Sequence, residues 1–378
     1  MKILMLSYEF PPLGGGGARV VHGLSTELVR LGHAVDVVTM GFQGLPAEET
    51  VEGVQVHRIP CRRRRAHLCT APEAFTYVAA ALPRVRRLVR HQRYDLNHTH
   101  FIFPDGVLAW WLHRTTGLRY VITAHGSDVP GYNPDRLKLA HRLLAPAWRR
   151  VVRTAERVIC PSRVLETLLR RQLRESTVTL IPNGIDPDRF HANGAPRGRR
   201  ILMVSRLLER KGFQHALEAL RTLPTDHEVH VVGDGPYRQA LEVAADGIPV
   251  TFWGWMDHSS PELRRLYESA SIFLLPSEAE NFPIVLLEAM AAGLAIITTS
   301  GTGCAEVVED AGLLVPAGDV SALREALRRL TEDAALCRQL GVAARRRLEE
   351  RFSWRAVAQQ YLDVYVQAAG RPAKWANT

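Results

Sequence analysis

The chain lacks most of what would staple, embed or metallate it. Its 378 residues include five cysteines, Cys61, Cys69, Cys160, Cys304 and Cys337, an odd number with no Cys-x-x-Cys pair. That spacing argues against a disulfide framework or a zinc site and fits a reducing cytosol. No apolar run approaches the ~20 residues of a membrane-spanning helix, and Met1–Leu6 runs directly into a strand and turn. A soluble, cytoplasmic protein is expected. Zinc-finger and RNA-recognition signatures are also missing, so nucleic acid is not an expected partner.

What is present reads as a folded α/β protein. Hydrophobic residues make up 46% and charged residues 23%, ordinary values for a globular chain. At ~150 residues per domain the length predicts two or three domains. The net charge of +9 is uneven: residues 1–180 carry 26 Lys/Arg against 14 Asp/Glu, and residues 181–378 carry 22 against 25. A basic half of this kind favours anionic surfaces. Arg62-Arg63-Arg64-Arg65 stands between Cys61 and His67 and precedes the apolar stretch Ala71–Leu82 with Phe75 and Tyr77. Such a run is usually a solvated loop. Together with basic helices over 84–93 and 138–153 it makes an anionic membrane surface, or an anionic acceptor, a candidate partner.

Periodicity gives the organisation. Lys2–Tyr8 reads as a strand, Ala18–Leu31 as an amphipathic helix closed by Gly32, and Ala34–Thr39 as a second strand, a βαβ unit of a doubly wound parallel sheet. Strands follow at Gly53–Ile59, Asp95–His100, Tyr120–Ala124, Arg157–Pro161 and Val178–Ile181. Helices are expected at Leu82–Arg93, Val107–Arg114, Leu137–Ala155 and Val164–Arg174. Residues 183–199 are dense in Asn, Gly, Pro and Asp and read as a linker. A second α/β series begins at Arg200, with strands at Ile201–Ser205, Glu228–Gly233, Val250–Trp253, Ile272–Leu275, Ala295–Thr299 and Gly312–Val315 separated by helices. The expected organisation is an N-terminal domain over 1–182, the linker, a C-terminal domain over 200–352 and a last helix within 353–378.

The most informative segment is Pro276–Gly293. It follows the strand Ile272–Leu275 and reads as the start of a buried helix, with Asn281 as N-cap and Pro283 in the first turn. The backbone N–H groups around Asn281, Phe282 and Pro283 would then face the carboxyl edge of a sheet, where anions bind. Glu280 and Glu288 bracket the helix start with seven residues between them. Glu288 lies more than a turn inside an apolar helix, so its charge needs sugar hydroxyls or an Arg as partner. Arg206 and Lys211 straddle another strand-to-helix loop, where two cations would neutralise a diphosphate.

The Glu-x7-Glu element resembles the signature of the family-4 retaining glycosyltransferases. An ordered set of further motifs extends the resemblance from Met1 to about Tyr365: Ser7–Pro12, Gly14–Gly17, Thr123–Asp128, Ile181–Asp186, Ser205–Gly212 and Gly233–Pro236. The resemblance implies the GT-B fold, two Rossmann-like doubly wound parallel-sheet domains facing a central cleft, with the last helix crossing back to the first domain. It implies a retaining transfer of a hexose-type sugar from a nucleoside diphosphate sugar to a glycan, lipid-linked or small-molecule acceptor.

Roles follow from the same resemblance. Arg206 and Lys211 would hold the diphosphate, helped by the helix start at Asn281, Phe282 and Pro283. Glu280 would bind hydroxyls of the transferred sugar and Glu288 those of the ribose. His125 would touch the transferred sugar where charge develops, and Asp128 would position His125 or an acceptor hydroxyl. Gly16 and Gly17 belong to a glycine loop that is either a flexible loop or a phosphate cradle; the resemblance turns it towards the donor phosphates or the acceptor. No metal is expected. Asp186-Pro187-Asp188 matches an Asp-x-Asp metal motif only formally and reads as a turn. His98 and His100 read as structural. Many relatives have Gly where this chain has Asn281, so sugar selectivity does not carry over. A sugar-nucleotide epimerase, a phosphorylase-like enzyme and a non-catalytic nucleotide-sugar sensor remain as alternatives.

Overall fold

The computed structural model describes residues 1–66, 68–132, 138–173, 178–190 and 198–370, except the side chains of residues 138–141 and 143. His67, Leu137, Arg174, the middle of the expected linker (191–197) and the end of the chain (371–378) lie outside the described residues. The chain divides into two compact units, Met1–Gly184 together with the segment that begins at Trp354, and Ile185–Ser353.

The first unit is built on β1 (Lys2–Leu6), β2 (Ala34–Met40), β3 (Glu48–Val51), β4 (Val54–Ile59), β5 (Leu96–His100), β6 (Tyr120–Thr123), β7 (Arg157–Cys160) and β8 (Val178–Leu180). Their order across the sheet is β3-β4-β2-β1-β5-β6-β7-β8. All pairings are parallel except β3 with β4. The sequence reading missed β3, a short, half-exposed edge strand. Its turn places Glu52 at φ 47° and Gly53 at φ 85°, the positive-φ pair of a tight hairpin, without the Asn-Gly that usually announces one. The second unit carries β9 (Arg200–Val204), β10 (Glu228–Val232), β11 (Val250–Gly254), β12 (Ile272–Leu275), β13 (Ala295–Thr299) and β14 (Leu313–Val315), in the order β11-β10-β9-β12-β13-β14, all parallel.

Between the strands run α1 (Gly16–Arg30), α2 (Ala71–His91), α3 (Asp105–Thr116), α4 (Lys138–Thr154), α5 (Arg163–Gln172), α6 (Phe213–Arg221), α7 (Arg238–Ala244), α8 (Pro261–Ser269), α9 (Ile284–Ala291), α10 (Gly303–Val308), α11 (Val320–Glu332), α12 (Ala334–Arg351) and α13 (Trp354–Ala368). The caps are legible in the sequence at several starts. Ser260 accepts from the Leu263 N–H to begin α8, and Asp319 does the same for Ala322 at α11. The helix expected over Leu82–Arg93 starts earlier, at Ala71. One helix, α2, runs through Pro83, and Tyr77, Ala81, Val85 and Leu88 form one buried face along it. That shared burial offsets the ~3 kcal/mol an internal proline costs.

Two of the sheet strands break the rule that a central strand is apolar. In β5, Asn97, His98, Thr99 and His100 are all fully buried. Asn97 donates to the Leu4 carbonyl at 2.8 Å, Thr99 donates to the Asn97 side chain at 2.9 Å, His98 meets Thr123 Oγ1 at 2.8 Å, and His100 Nδ1 meets His125. In β13, Thr298 and Thr299 are buried and donate to the carbonyls of Leu275 and Ser277.

The last helix is part of the first unit's core. Trp354 lies against Gly23 and Gly184, whose missing side chains make room for the indole. Tyr361 and Tyr365 are fully buried, with Tyr361 Oη 3.2 Å from Thr123 Oγ1 and Tyr365 Oη 2.6 Å from His98 Nδ1. The expected linker 183–199 is not a separate segment throughout. Ile185 donates to the Phe352 carbonyl at 2.9 Å and Phe190 is buried against Tyr267, so residues 185–190 pack within the second unit.

Candidate active site

In an open parallel sheet the strand order reverses where two neighbouring strands wind away from each other, and the loops at their carboxyl ends part to leave a crevice. In the second unit that point lies between β9 and β12. The loop after β9 holds Arg206 and Lys211; the loop after β12 holds Glu280. The two are joined backbone to backbone, Glu278 N–H donating to the Arg210 carbonyl at 2.9 Å. Gly212 makes this approach possible, because a Cβ there would lie 2.0 Å from the Pro276 carbonyl oxygen.

Lys211 Nζ forms an ion pair with Glu280 Oε1 across this junction. Arg206 is exposed in the same loop and has no ion pair among the described residues. The structure thus brings Arg206, Lys211 and Glu280 to one sheet edge, with one cation committed to the carboxylate and one open to solvent.

Glu288 is completely buried, the single charge on a helix that is apolar on every side. It has the partners that its burial demands. Tyr267 Oη donates to Oε2 at 3.0 Å, and Arg189 Nη2 stands 3.6 Å from Oε1. Arg189 also donates to the His258 carbonyl at 2.7 Å, in the loop that follows β11. The carboxylate therefore ties together α9, α8 and the segment after residue 185. Asp186 and Asp188 belong to that segment. Asp186 accepts from the Asp188 N–H at 3.0 Å and caps a single 3-10 turn.

The helix start differs from the sequence reading. α9 begins at Ile284, Pro283 is its N-cap, and Asn281 makes no cap. Pro283 has no N–H to offer, and its extended ψ of 120° holds it outside the helix. Asn281 and Phe282 are buried elsewhere: a Cβ on Gly303 would lie 1.5 Å from the Asn281 carbonyl oxygen, and the Phe282 ring meets Phe352 edge-on at 5.6 Å. The N–H groups without an intrahelical acceptor belong to Ile284 and Val285. Gly303, at the start of α10, also donates to the Glu280 carbonyl at 3.1 Å.

The first unit has its own reversal, between β1 and β5. The loop after β1 runs from Ser7 to Gly15, and Gly16 and Gly17 are already helical as the first residues of α1. The glycines are not an open cradle. The Glu9 carboxylate folds over Gly14 and accepts from the Gly15 N–H at 3.3 Å, supplying negative charge at the helix start. Gly17 is a close-packing residue, since a Cβ there would lie 2.5 Å from the Phe101 ring.

His125 follows β6. Asp128 accepts from the N–H groups of His125 (3.0 Å), Gly126 (2.9 Å) and Ile102 (2.8 Å), and its own carbonyl accepts from Trp148 Nε1 at 2.9 Å. Three backbone donors on one buried carboxylate let Asp128 shape the His125 loop. His125 Nε2 is 3.1 Å from His100 Nδ1, with the rings stacked at 24°. Burial holds the His125 pKa down to about 3, so the ring is neutral. Phe101 lies 4.3 Å from the His125 ring and has φ 71°, a left-handed conformation rare for a residue with a side chain.

Sequence reasoning missed Phe101, Arg189, Tyr267 and Gly303. A backbone dihedral leaves no mark in the sequence, and Arg189 stood in a stretch read as linker. Gly303 had a signal: Gly301 and Gly303 follow a strand, as loop glycines at a carboxyl edge do.

Among the described residues no helix is long and apolar enough to cross a membrane. The Arg62–Arg65 run is not uniformly solvated. Arg63 is buried and donates to the carbonyls of Tyr8, Arg65 and Ala66, while Arg62, Arg64 and Arg65 are exposed. Tyr77 is buried as well and donates to Asp105 at 2.9 Å; Phe75 is 69% exposed.

Residues 14–189 match the Glycosyltransferase Family 4 domain and residues 198–333 the Glycosyl transferases group 1 domain. The 2-deoxystreptamine N-acetyl-D-glucosaminyltransferase of Streptomyces fradiae is 31% identical, over 96% of this chain and 93% of its own. Among solved structures, sucrose-phosphate synthase from Thermosynechococcus elongatus superposes with a TM-score of 0.81 at 26% identity, covering 97% of this chain and 98% of that one. The Anabaena HepE protein in complex with UDP-glucose superposes with a TM-score of 0.74 at 18% identity, covering 97% and 100%. The fold is GT-B, and the chain belongs to the glycosyltransferases that join a Family 4 domain to a group 1 domain.

Proposed function

We propose that this glycosyltransferase moves a hexose-type sugar, with retention of configuration, from a nucleoside diphosphate to a glycan, lipid-linked or small-molecule acceptor. One observation carries the reading: Lys211, Glu280 and Arg206 sit together at the switch point of the second unit. Cations there neutralise the charge that grows on the diphosphate as the sugar–phosphate bond breaks. Glu280, held by Lys211, is placed to accept from hydroxyls of the sugar. Glu288 would reach ribose hydroxyls only by loosening its contact with Arg189. The first-turn N–H groups of α9 add a positive dipole end. His125 is the group offered to the transferred sugar from the first unit.

Retention needs the acceptor to arrive on the face the diphosphate leaves. Retaining glycosidases achieve it with two carboxyl groups ~5–5.5 Å apart. Glu280 and Glu288 do not suit that scheme, because Glu288 is buried against Tyr267 and Arg189. A same-face attack fits better, with the leaving phosphate taking the acceptor proton.

A nucleoside diphosphate sugar donor is supported by the Anabaena protein, in which the same fold holds UDP-glucose. The test is a thermal-shift screen of nucleoside diphosphate sugars, followed by incubation with the bound donor alone and with candidate acceptors. Transfer to an acceptor supports the reading. Isomerised sugar from donor alone would indicate an epimerase, dependence on free phosphate a phosphorylase, and binding without turnover a sensor. Activity is expected to survive a chelator, since Arg206 and Lys211 supply the positive charge; loss on chelation with rescue by magnesium or manganese overturns that expectation.

A second reading concerns where the enzyme works. Phe75 and Leu68, 69% and 40% exposed, accompany the exposed Arg62, Arg64 and Arg65. Apolar side chains beside cations suit an anionic bilayer, where each cation contributes ~1 kcal/mol within a Debye length. Co-sedimentation with anionic but not neutral vesicles is expected, weakened by salt and by a variant with Phe75, Arg62, Arg64 and Arg65 changed to Ser. Equal sedimentation with both lipids refutes it.

A further inference from the structure

His100 ends β5 and is fully buried, next to His125 across the β5–β6 pairing. Its Nδ1 lies 3.1 Å from His125 Nε2, while its Nε2 is buried with no hydrogen-bond partner among the described residues. The neighbouring His98, 4.2 Å away ring to ring, does not compete, because both of its nitrogens are engaged, by Tyr365 and by Thr123.

A neutral imidazole carries one N–H and one bare nitrogen. Burial lowers the pKa of His100 and of His125, so each ring has a single proton. The contact between them then has two forms. In one, His125 donates from Nε2, and His100 must carry its proton on Nε2, where a buried N–H meets no acceptor. In the other, His100 donates from Nδ1, its Nε2 is a bare lone pair, and His125 must carry its proton on Nδ1. An orphaned buried N–H is the rarer and more costly defect than an under-used acceptor.

We propose that His100 is a positioning residue that fixes His125 as the tautomer protonated at Nδ1. His125 then carries its N–H at Nδ1, and its bare Nε2 is taken up by His100. It stabilises charge developing on an oxygen and does not remove a proton from an acceptor. A neutral imidazole acting as a hydrogen-bond donor is a known way of stabilising an oxyanion. The tautomer stands independently of the glycosyl-transfer reading; only its use towards a sugar rests on that reading.

The test is a ring-nitrogen correlation spectrum of the full, uniformly 15N-labelled chain near neutral pH without donor, with His125 identified by its loss in His125→Asn. The expected pattern has His125 Nδ1 protonated and Nε2 bare. In His100→Asn the amide can donate in place of the imidazole N–H, and the His125 pattern is retained. In His100→Leu the donor to Nε2 is gone, and the two His125 nitrogens shift away from the wild-type pattern, with Nε2 gaining proton character. A wild-type His125 with its proton on Nε2 overturns the proposal, as does an unchanged pattern in folded His100→Leu. Should His100→Leu fail to fold, the wild-type spectrum alone decides, and it separates this question from whether any donor binds.

Discussion

Lys211 and Glu280 form an ion pair at the switch point of the second unit, their side chains 10% and 11% exposed. The pair joins the loops after β9 and β12, so the cation proposed for a diphosphate and the carboxylate proposed for a sugar are positioned by each other. Arg206, in the same loop as Lys211, stands outside this pairing. The two cations therefore have different consequences when removed.

Arg206→Ala is expected to lower kcat by ~10²–10³, the scale for loss of one transition-state donor, with little change in thermal midpoint. Lys211→Ala should show a similar kinetic loss and a lower midpoint, because Glu280 is left mostly buried without its cation. Steady-state kinetics beside thermal unfolding separates the two. Near-normal activity in a stably folded Arg206→Ala would remove Arg206 from the site.

Arg189 holds a carboxylate that has no access to water. Breaking a buried pair from the exposed side leaves the buried charge uncompensated, at a cost of ~3–5 kcal/mol. Arg189→Met should approach that loss in urea unfolding, whereas Arg189→Met with Glu288→Gln should recover much of it. If Arg189→Met alone is neutral, the other partners of Glu288, Tyr267 among them, suffice to hold it and the Arg189 contact carries no stability.

The sequence was informative wherever chemistry and local pattern coincide. The alternation of strands and helices, the glycines between them and the Glu280–Glu288 spacing all pointed to two wound sheets with a ligand edge. It was less informative where one side chain serves a distant backbone. Arg63 reads as one of four arginines in a row, yet it alone turns inward to bind three carbonyls. Asp128 reads as a carboxylate beside a histidine, yet its oxygens are taken by three N–H groups brought together only in the fold. The sequence places the start of α9 two residues early: Pro283 is the N-cap, and Asn281, a favourable N-cap residue, packs on Gly303 instead.

Gly303 tests that packing directly. A methyl group there would lie 1.5 Å from the Asn281 carbonyl oxygen, and the nearby atoms are backbone that cannot rotate away. Gly303→Ala must displace the loop carrying Glu280. The expected outcome is a fall in donor affinity, read by titration calorimetry, with a lowered thermal midpoint. Unchanged donor binding would show that the position of this loop does not matter to the site.

The buried titratable groups of the first unit set its pH dependence, with opposite signs on the two sides of neutrality. Burial lowers the pKa of His98 to about 3, against an unfolded value of 6.5, and puts that of fully buried His100 well below 6.5 as well. Between those values the unfolded chain binds protons that the folded chain refuses, so stability rises with pH through this window and is lost on acidification. Asp105 works the other way. Buried beside Tyr77 and the Tyr8 N–H, it has a pKa raised to about 8, against an unfolded value of 3.8. Across that interval the folded chain keeps a proton the unfolded chain has released, and stability falls as pH rises. From pH 6.5 to 8 the histidines have finished titrating and Asp105 acts without them. The thermal midpoint should therefore drop between pH 6.5 and 8, and Asp105→Asn, which imitates the protonated carboxyl, should flatten that limb. His98→Gln should flatten the acid limb below 6.5 whatever it does to the midpoint itself. An alkaline limb that keeps its slope in Asp105→Asn would assign it to other groups and leave Asp105 ionised in the folded chain.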